Sequence, residues 1–352
     1  MNSVEIIDIN KLSEWDTFVA AHPLGTIYHT SQWRKVIQDA YGHEPFYLAI
    51  RDGERKICAG LPLFLIKGIT GGKRLSCLPC AQDCNPLVED RQHYKALLDF
   101  LTHLMAKHKA FFCELKLSEK FPLADSIAQN VMTGYVTYEL DIDRPLDDVL
   151  ASFHKSCIQK PIKRAGGSGL ELAIGNSTTG LKQFYQLYLQ MRKQKGLLPQ
   201  PYLFFESLWN SLKAEGMVDI MHARFHGQIV SSILLIKYKD TVVYEYGATL
   251  PDKSSLHSMH FLLWEAIKRS VAEGYKIFDF GRTSSDQAGL ALFKSRWGTQ
   301  ATNLYYVHIP DVSDLAKLRQ TSIMKKLMEI VIKSMPEAVC HQMGKRLYRY
   351  LV

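Results

Sequence analysis

Two runs decide the fold: Phe278-Asp279-Phe280-Gly281-Arg282-Thr283-Ser284-Ser285 and, shortly after it, Leu292-Phe293-Lys294-Ser295-Arg296-Trp297-Gly298. In the first, an apolar strand stops at a glycine, which lets the chain turn sharply because no Cβ blocks a positive φ. Polar residues follow at once, and loops leaving the strands of an α/β sheet are where such folds place their chemistry. Arg282 with Ser284 and Ser285 can hold an anionic group, and Lys294 can face a developing negative charge. By spacing alone, solvated surface residues are the commoner reading of Arg282 and Lys294.

Working outward, helical periodicity from about Ser258 to Ala272 leads into the strand through Ile277 to Phe280. Upstream, strands are expected at 217–224, 228–237 and 241–248, with His226-Gly227 turning between the first two. Helices are expected at 146–154, 179–194 and 203–214. The first half follows the same logic. Leu12, Trp15, Phe18 and Val19 recur at helical spacing, and Thr30 or Ser31 caps a helix carrying Trp33, Val36 and Ile37. Phe46–Ile50 and Ile57–Ile66 are apolar stretches joined by Asp52-Gly53, a hairpin signal. His93–His108 is an amphipathic helix, and Phe111–Leu117 a strand.

The two halves can be laid on each other. ALLDFLTHLMAKHKAFFCEL (96–115) aligns without a gap on FLLWEAIKRSVAEGYKIFDF (261–280), so that Leu97 matches Leu262, Leu98 matches Leu263 and Glu114 matches Asp279. The expectation is a duplicated α/β unit: an α/β (α+β) chain of two tandem folds, each a mixed sheet flanked by helices. The divisions are 1–145, 146–310 and a tail, 311–352.

Composition agrees. A chain of 352 residues, 47% of them apolar, can bury two cores and is not disordered. No secretory signal opens the sequence, and charges interrupt every apolar run before the ~18 residues of a spanning helix. A cytoplasmic protein is expected, with contact to the inner face of the membrane through its tail. Seven cysteines are an odd number and no disulfide framework. Cys77, Cys80 and Cys84 lack a nearby fourth soft ligand, so no metal is expected.

The formal charge is +8, and the tail carries eight Lys/Arg against four acids. Within it Ile323, Leu327, Ile330 and Val331 fall on one helical face, with Lys325, Lys326 and Lys333 elsewhere. After Pro336, Val339, Met343 and Leu347 repeat the pattern beside Lys345, Arg346 and Arg349. Such a helix lies in an anionic membrane interface or docks on the body of its own protein. A second basic run, Lys155, Lys160, Lys163 and Arg164, fits a tRNA backbone, a phosphorylated acceptor, or a solvated helix face.

FDFGRTSSDQAGLALFKSRWG resembles the FDFGR…G…FK…WG signature of the FemAB-related transferases of the GNAT superfamily. SCIQKPIKRAGGSGLEL resembles the same family's basic segment, and YHTSQWRKVIQDAYGHEPFYLAIRDG its N-terminal half. The resemblance runs from Ile6 to His308. It implies two GNAT-like halves with a cleft between them, and attack by an acceptor amine on an activated acyl carbonyl. It makes Lys294, in the FK motif, the residue that stabilises the oxyanion. Tyr246 matches a family aromatic near the acceptor, though a strand tyrosine packed in the core is an equal reading. Asp279 supports the loop, Phe293 and Trp297 complete the motif around it, and Trp33, Lys163 and Arg164 fall in the segments of substrate contact.

Departures from the family narrow the acceptor. Where peptidoglycan-bridge members carry a phosphate-gripping lysine this chain has Ile37, and where they carry an arginine Gln200 stands. The chain is more similar to FemAB-like proteins linked to exopolysaccharide and PEP-CTERM systems. The loop Pro251–Ser258 lacks the glycines with which CoA-dependent GNAT domains bind pyrophosphate. No permanently bound cofactor is implied. The donor is acyl-CoA or aminoacyl-tRNA, and the acceptor an amine on an envelope, peptidoglycan or exopolysaccharide precursor. Two competing readings are a catalytically silent GNAT-like scaffold in a membrane-associated polysaccharide assembly complex, and a tRNA-binding protein of another kind.

Overall fold

A computed structural model describes residues 3–69, 71–122, 131–311 and 322–351. The chain divides into two compact units, residues 1–135 with 302–321 and 349–352, and residues 136–301 with 322–348.

The first unit is built on β1 (Val4–Ile6), α1 (Ser13–Ala21), α2 (Ser31–Tyr41), β2 (Glu44–Arg51), β3 (Ile57–Lys67), β4 (Lys73–Ser76), α3 (Arg91–His108) and β5 (Ala110–Ser118). Trp15 and Val19, one turn apart on α1, are fully buried. The Trp15 indole comes so close to β3 that a Cβ on Gly60 would lie 2.4 Å from it. Thr30 caps α2 by accepting from the Trp33 amide, as its sequence position predicts. The β2–β3 hairpin also forms, but with a wider turn than an Asp-Gly pair requires. The Asp52 carboxylate accepts from the amides of Glu54 and Lys56, and Arg55, not Gly53, takes the left-handed conformation (φ 65°). Asp90 caps α3. β4 and β5 run parallel with α3 as their crossover, and the sheet order is β1-β2-β3-β4-β5, closed by a late strand, Gln300–Ile309 (β13), antiparallel to β5.

The second unit contains β6 (Val131–Asp141), α4 (Leu146–Ser152), a π-helical turn at 155–159, α5 (Lys160–Gly166), β7 (Glu171–Ile174), α6 (Thr178–Gln194), α7 (Tyr202–Leu212), β8 (Val218–Phe225), β9 (Gln228–Tyr238), β10 (Thr241–Thr249), α8 (Ser258–Ala272), β11 (Ile277–Asp279), β12 (Thr283–Ser284) and α9 (Ala288–Ser295). Its strand order is β6-β11-β10-β9-β8-β7. His226 and Gly227, both at positive φ, make the β8–β9 turn. Along β9, Ile233 and Leu235 join a core with Leu262, Leu263, Ala266 and Ile267 of α8. Alternation leaves Leu234 and Ile236, equally buried, for the opposite face, and α6, like α8, packs on β8, β9 and β10.

The tail forms α10 (Ser322–Ser334) and α11 (Glu337–Leu347), which pack on α6. Ile332 and Cys340 bury against Leu198, and Gly344 sits so close to the Pro199 carbonyl that a Cβ there would be 2.3 Å from its oxygen. The tail therefore docks on its own unit. The face that docks is not the one the sequence singles out: Ile330 (63% exposed) and Val331 (45%) point away from it. Asp314, Lys317 and Arg319 lie outside the described residues, as do the side chains of Ile323, Lys325, Lys326 and Leu327.

Candidate active site

β10 and β11 are parallel neighbours over only three pairs, Thr241 to Ile277, Val242 to Phe278 and Val243 to Asp279. Beyond them the two strands part. The Phe280 amide donates to the Tyr138 carbonyl (2.8 Å), and β12 continues the pairing with β6. β10 instead runs on to Thr249 along β9. Its register slips between Tyr244 and Tyr246, leaving Glu245 as a bulge. A bulge reverses which face the following side chains occupy. Tyr244 accordingly reaches Met259 of α8 (hydroxyl to Sδ 3.5 Å), whereas the Tyr246 ring meets Phe205 of α7 at 5.1 Å. Past Val243, no strand among the described residues pairs with the edge of β10 that faced β11.

The turn out of β11 forms the floor of this opening. Gly281 (φ 75°) swings the chain, and α9 carries Lys294 back to it. The Lys294 ammonium donates to the carbonyls of Gly281 (2.6 Å) and Arg282 (3.1 Å), with the residue only 4% exposed. An ammonium has three donors, so among the described residues these bonds leave one over. Burial pushes the Lys294 pKa down to about 8, against the upward pull of Asp279 and Glu245. Asp279 accepts from the Thr137 hydroxyl (2.8 Å) and the Gly281 amide (2.7 Å) through one oxygen. Desolvation, aided by Glu139, raises its pKa to about 6. Near neutral pH, then, Lys294 is mainly cationic and Asp279 mainly anionic, in a site short of water. The Thr283 hydroxyl and the Trp297 indole N–H are buried nearby in sequence without a hydrogen-bond partner among the described residues.

Two parallel strands thus part with a cation and backbone carbonyls at the fork. Residues 153–294 match the acetyltransferase (GNAT) domain family. That match lies within the second unit. Over 169 residues the chain is 25% identical to UDP-N-acetylmuramoylpentapeptide-lysine N(6)-alanyltransferase of Weissella viridescens, covering 47% of this chain and 48% of that one. The match thus spans about half the length of that relative. In fold, the chain is similar to FemX (TM-score 0.69, 17% identity, 87% of this chain and 97% of that one). It is also similar to a tandem GNAT protein from the clavulanic acid biosynthesis pathway (TM-score 0.57, 10% identity, 88% and 98%).

The residues singled out by sequence separate into groups. Lys294, Asp279 and the Arg282 carbonyl meet at the fork. The Arg282 side chain and Ser285 are exposed, and Ser284 is half-buried, on the turn that leaves it. Trp297 is fully buried in a ring cluster with Phe153, Phe280, Phe293 and His260, which makes it a packing residue. Tyr246 is half-buried against Phe204, Phe205 and Tyr188. Lys163 and Arg164 are exposed on α5. Trp33, in the first unit, has no surface to offer: it is fully buried, with its indole N–H donated to the Pro79 carbonyl. Ile37 and Gln200 are buried as well, Gln200 accepting from the Tyr188 hydroxyl. Cys77 accepts from the Lys116 amide through its sulfur (2.9 Å), and Cys84 pairs with the Lys116 backbone, so both serve the packing of the segment after β4.

Sequence reasoning missed Thr137, Glu139 and Glu245, because they reach the fork from β6 and from a bulge that no local pattern announces. It also missed a groove of about 310 Å³ lined by Gln183, Gln186 and Gln190 of α6 with Arg224 and Gln228 of the β8–β9 hairpin. None of the candidate site residues picked from the sequence lines it. The loop before α8 makes its turn without a glycine. His257 itself takes the left-handed conformation (φ 52°), and α8 starts with no side chain capping its first amides.

Proposed function

We propose that this protein is an N-acyltransferase that moves an activated acyl group from acyl-CoA onto an amine of a cell-envelope or exopolysaccharide precursor. The observation that carries the reading is the buried Lys294 ammonium, held by two carbonyls at the fork between β10 and β11 with one donor to spare. An acyl carbonyl in the fork is attacked by the neutral amine. The C–N bond forms, the carbonyl oxygen becomes anionic, and the C–S bond then breaks to release the thiolate as the amine loses its proton. Lys294 meets the oxyanion, and a pre-set cation in a dry site costs no reorganisation at that moment. Asp279 is a positioning residue: it accepts from the Gly281 amide and so fixes the turn whose carbonyls hold Lys294.

The donor follows from two features. Past Val243 no described strand lies beside β10 on its β11 side, which leaves room there for a pantetheine arm, and the start of α8, without a side-chain cap, offers N–H groups to its pyrophosphate. Aminoacyl-tRNA is the second reading, favoured by the exposed Lys155, Lys160, Lys163 and Arg164. On the acceptor side, the relative's printed activity on a muramoyl-pentapeptide lysine supports an envelope amine, while the buried Ile37 and Gln200 supply no cation for an acceptor phosphate.

The tail adds peripheral contact with an anionic membrane: Ile330, Val331 and Val339 are exposed beside Lys333, Lys345 and Arg346. Wild-type protein is expected to sediment with anionic vesicles and an Ile330→Ser/Val331→Ser variant to stay in solution; equal sedimentation removes the membrane from the account.

The catalytic test is release of CoA from acetyl-CoA in the presence of amino-sugar and lysyl-peptide acceptors. Lys294→Met keeps the volume and removes the charge. It should lose about 10²–10³-fold in kcat with its melting temperature little changed. A variant as active as wild type would dismiss Lys294 as the oxyanion partner.

A further inference from the structure

A second cluster of reactive groups lies in the first unit, independent of the GNAT site. On the β2–β3 ladder Ile50 pairs with Ala59 and Arg51 with Ile57, so Cys58 is the extra residue of a β-bulge. A bulge re-aims the side chain it carries. Cys58 is partly exposed, and its sulfur lies 4.0 Å from Nε2 of His93, in the first turn of α3. The other ring nitrogen, Nδ1, is 2.8 Å from Asp90 Oδ2, while Asp90 Oδ1 accepts from the His93 amide (2.7 Å). One carboxylate therefore both caps α3 and fixes the imidazole. With Nδ1–H donated to Asp90, the lone pair is on Nε2 and faces the thiol.

We propose that Cys58, His93 and Asp90 form a nucleophilic thiol site, at which Cys58 is covalently modified by carbon electrophiles that carry a leaving group. The thiol at rest keeps its proton, because burial and the carboxylates of Asp52, Asp90 and Glu89 raise its pKa. It needs a base, and His93 is in place to be one. In the step, a new S–C bond forms, the bond from that carbon to the leaving group breaks with its electron pair, and the thiol proton passes to His93 Nε2. The Asp90 carboxylate steadies the resulting imidazolium. The thiol is also shared with the Ile50 carbonyl (3.5 Å), which the proton leaves as the histidine takes it.

The chain supplies its own control, since Cys157 is also partly exposed and its sulfur lies 3.7 Å from the Ser156 hydroxyl, which is no base. Full-length protein is treated with limiting iodoacetamide at neutral pH, and each cysteine is followed by peptide mass spectrometry. Cys58 should be alkylated about tenfold faster than Cys157. In His93→Gln its rate should fall to that of Cys157, and in Asp90→Asn, which retains the helix cap, to an intermediate value. The ratio within one molecule guards against misfolding, because an unfolded variant would expose every thiol alike. Cys58 reacting no faster than Cys157, or a rate indifferent to His93→Gln in a variant that melts like wild type, overturns the proposal.

Discussion

At the scale of single residues the account turns on two ionisations that burial has moved toward each other. Lys294 loses its proton as pH rises through about 8, so a role as cation makes kcat fall above that value once the acceptor amine is saturating. A role as base would make it rise instead. Asp279 titrates near 6 in the folded protein against an ordinary 3.8. Between those values the folded chain binds more protons than the unfolded one, so stability is lost as pH rises through the window, and the deficit is full above it. Asp279→Asn lacks this penalty. Its stability relative to wild type should grow by about 1–3 kcal/mol from pH 4 to pH 7.5, measured by denaturant melts. A difference that does not change with pH would show that Asp279 is not desolvated. Lys294 and Asp279 were both legible in FDFGR and FK. Their partners were not, because Thr137 and Glu139 come from a strand far away in sequence.

Among elements, β10 does the most with one irregularity. Its bulge at Glu245 sends Tyr244 to α8 and Tyr246 to α6 and α7, and the Tyr244 phenol then lies across Gly247, where a Cβ would be 1.9 Å from the hydroxyl oxygen. Gly247→Ala must displace that ring, and a thermal melt should register a loss of about 1–3 kcal/mol. Unchanged stability would mean that Tyr244 moves freely. Helices with a clear apolar stripe and the strands 218–225, 228–238 and 241–249 were readable within a few residues. β6, β7 and β13 were not: Thr137, Glu139 and Asp141 interrupt β6, and β7 is a short edge strand with little to bury. In the tail, amphipathic spacing found the helix α10 but not its docking residue, since contact with Leu198 is made by Ile332 and periodicity cannot say which face meets a body.

Taken whole, the chain repeats one plan and uses it differently each time. Each unit has a parallel strand pair joined by a helix, β4-α3-β5 in the first and β10-α8-β11 in the second, as the alignment of 96–115 on 261–280 predicts. In the first unit Cys84 pairs with Lys116 of β5 and Leu87 with Gly60 of β3, so the segment after β4 occupies the edge that β10 leaves open. Glu114, the counterpart of Asp279, is consumed there. Burial works to raise its pKa, but the hydrogen bond from His308 and the charge of Lys116 outweigh it and hold the carboxyl at about 2. Donor binding is therefore expected in the second unit alone. Hydrogen–deuterium exchange across the full chain, with and without acetyl-CoA, tests this most directly. The account predicts slowed exchange at 244–249, in the first turn of α8 and at 281–284, with the first unit unchanged. Exchange at 244–249 that ignores the ligand, or protection centred on the β4–β5 region, would contradict it.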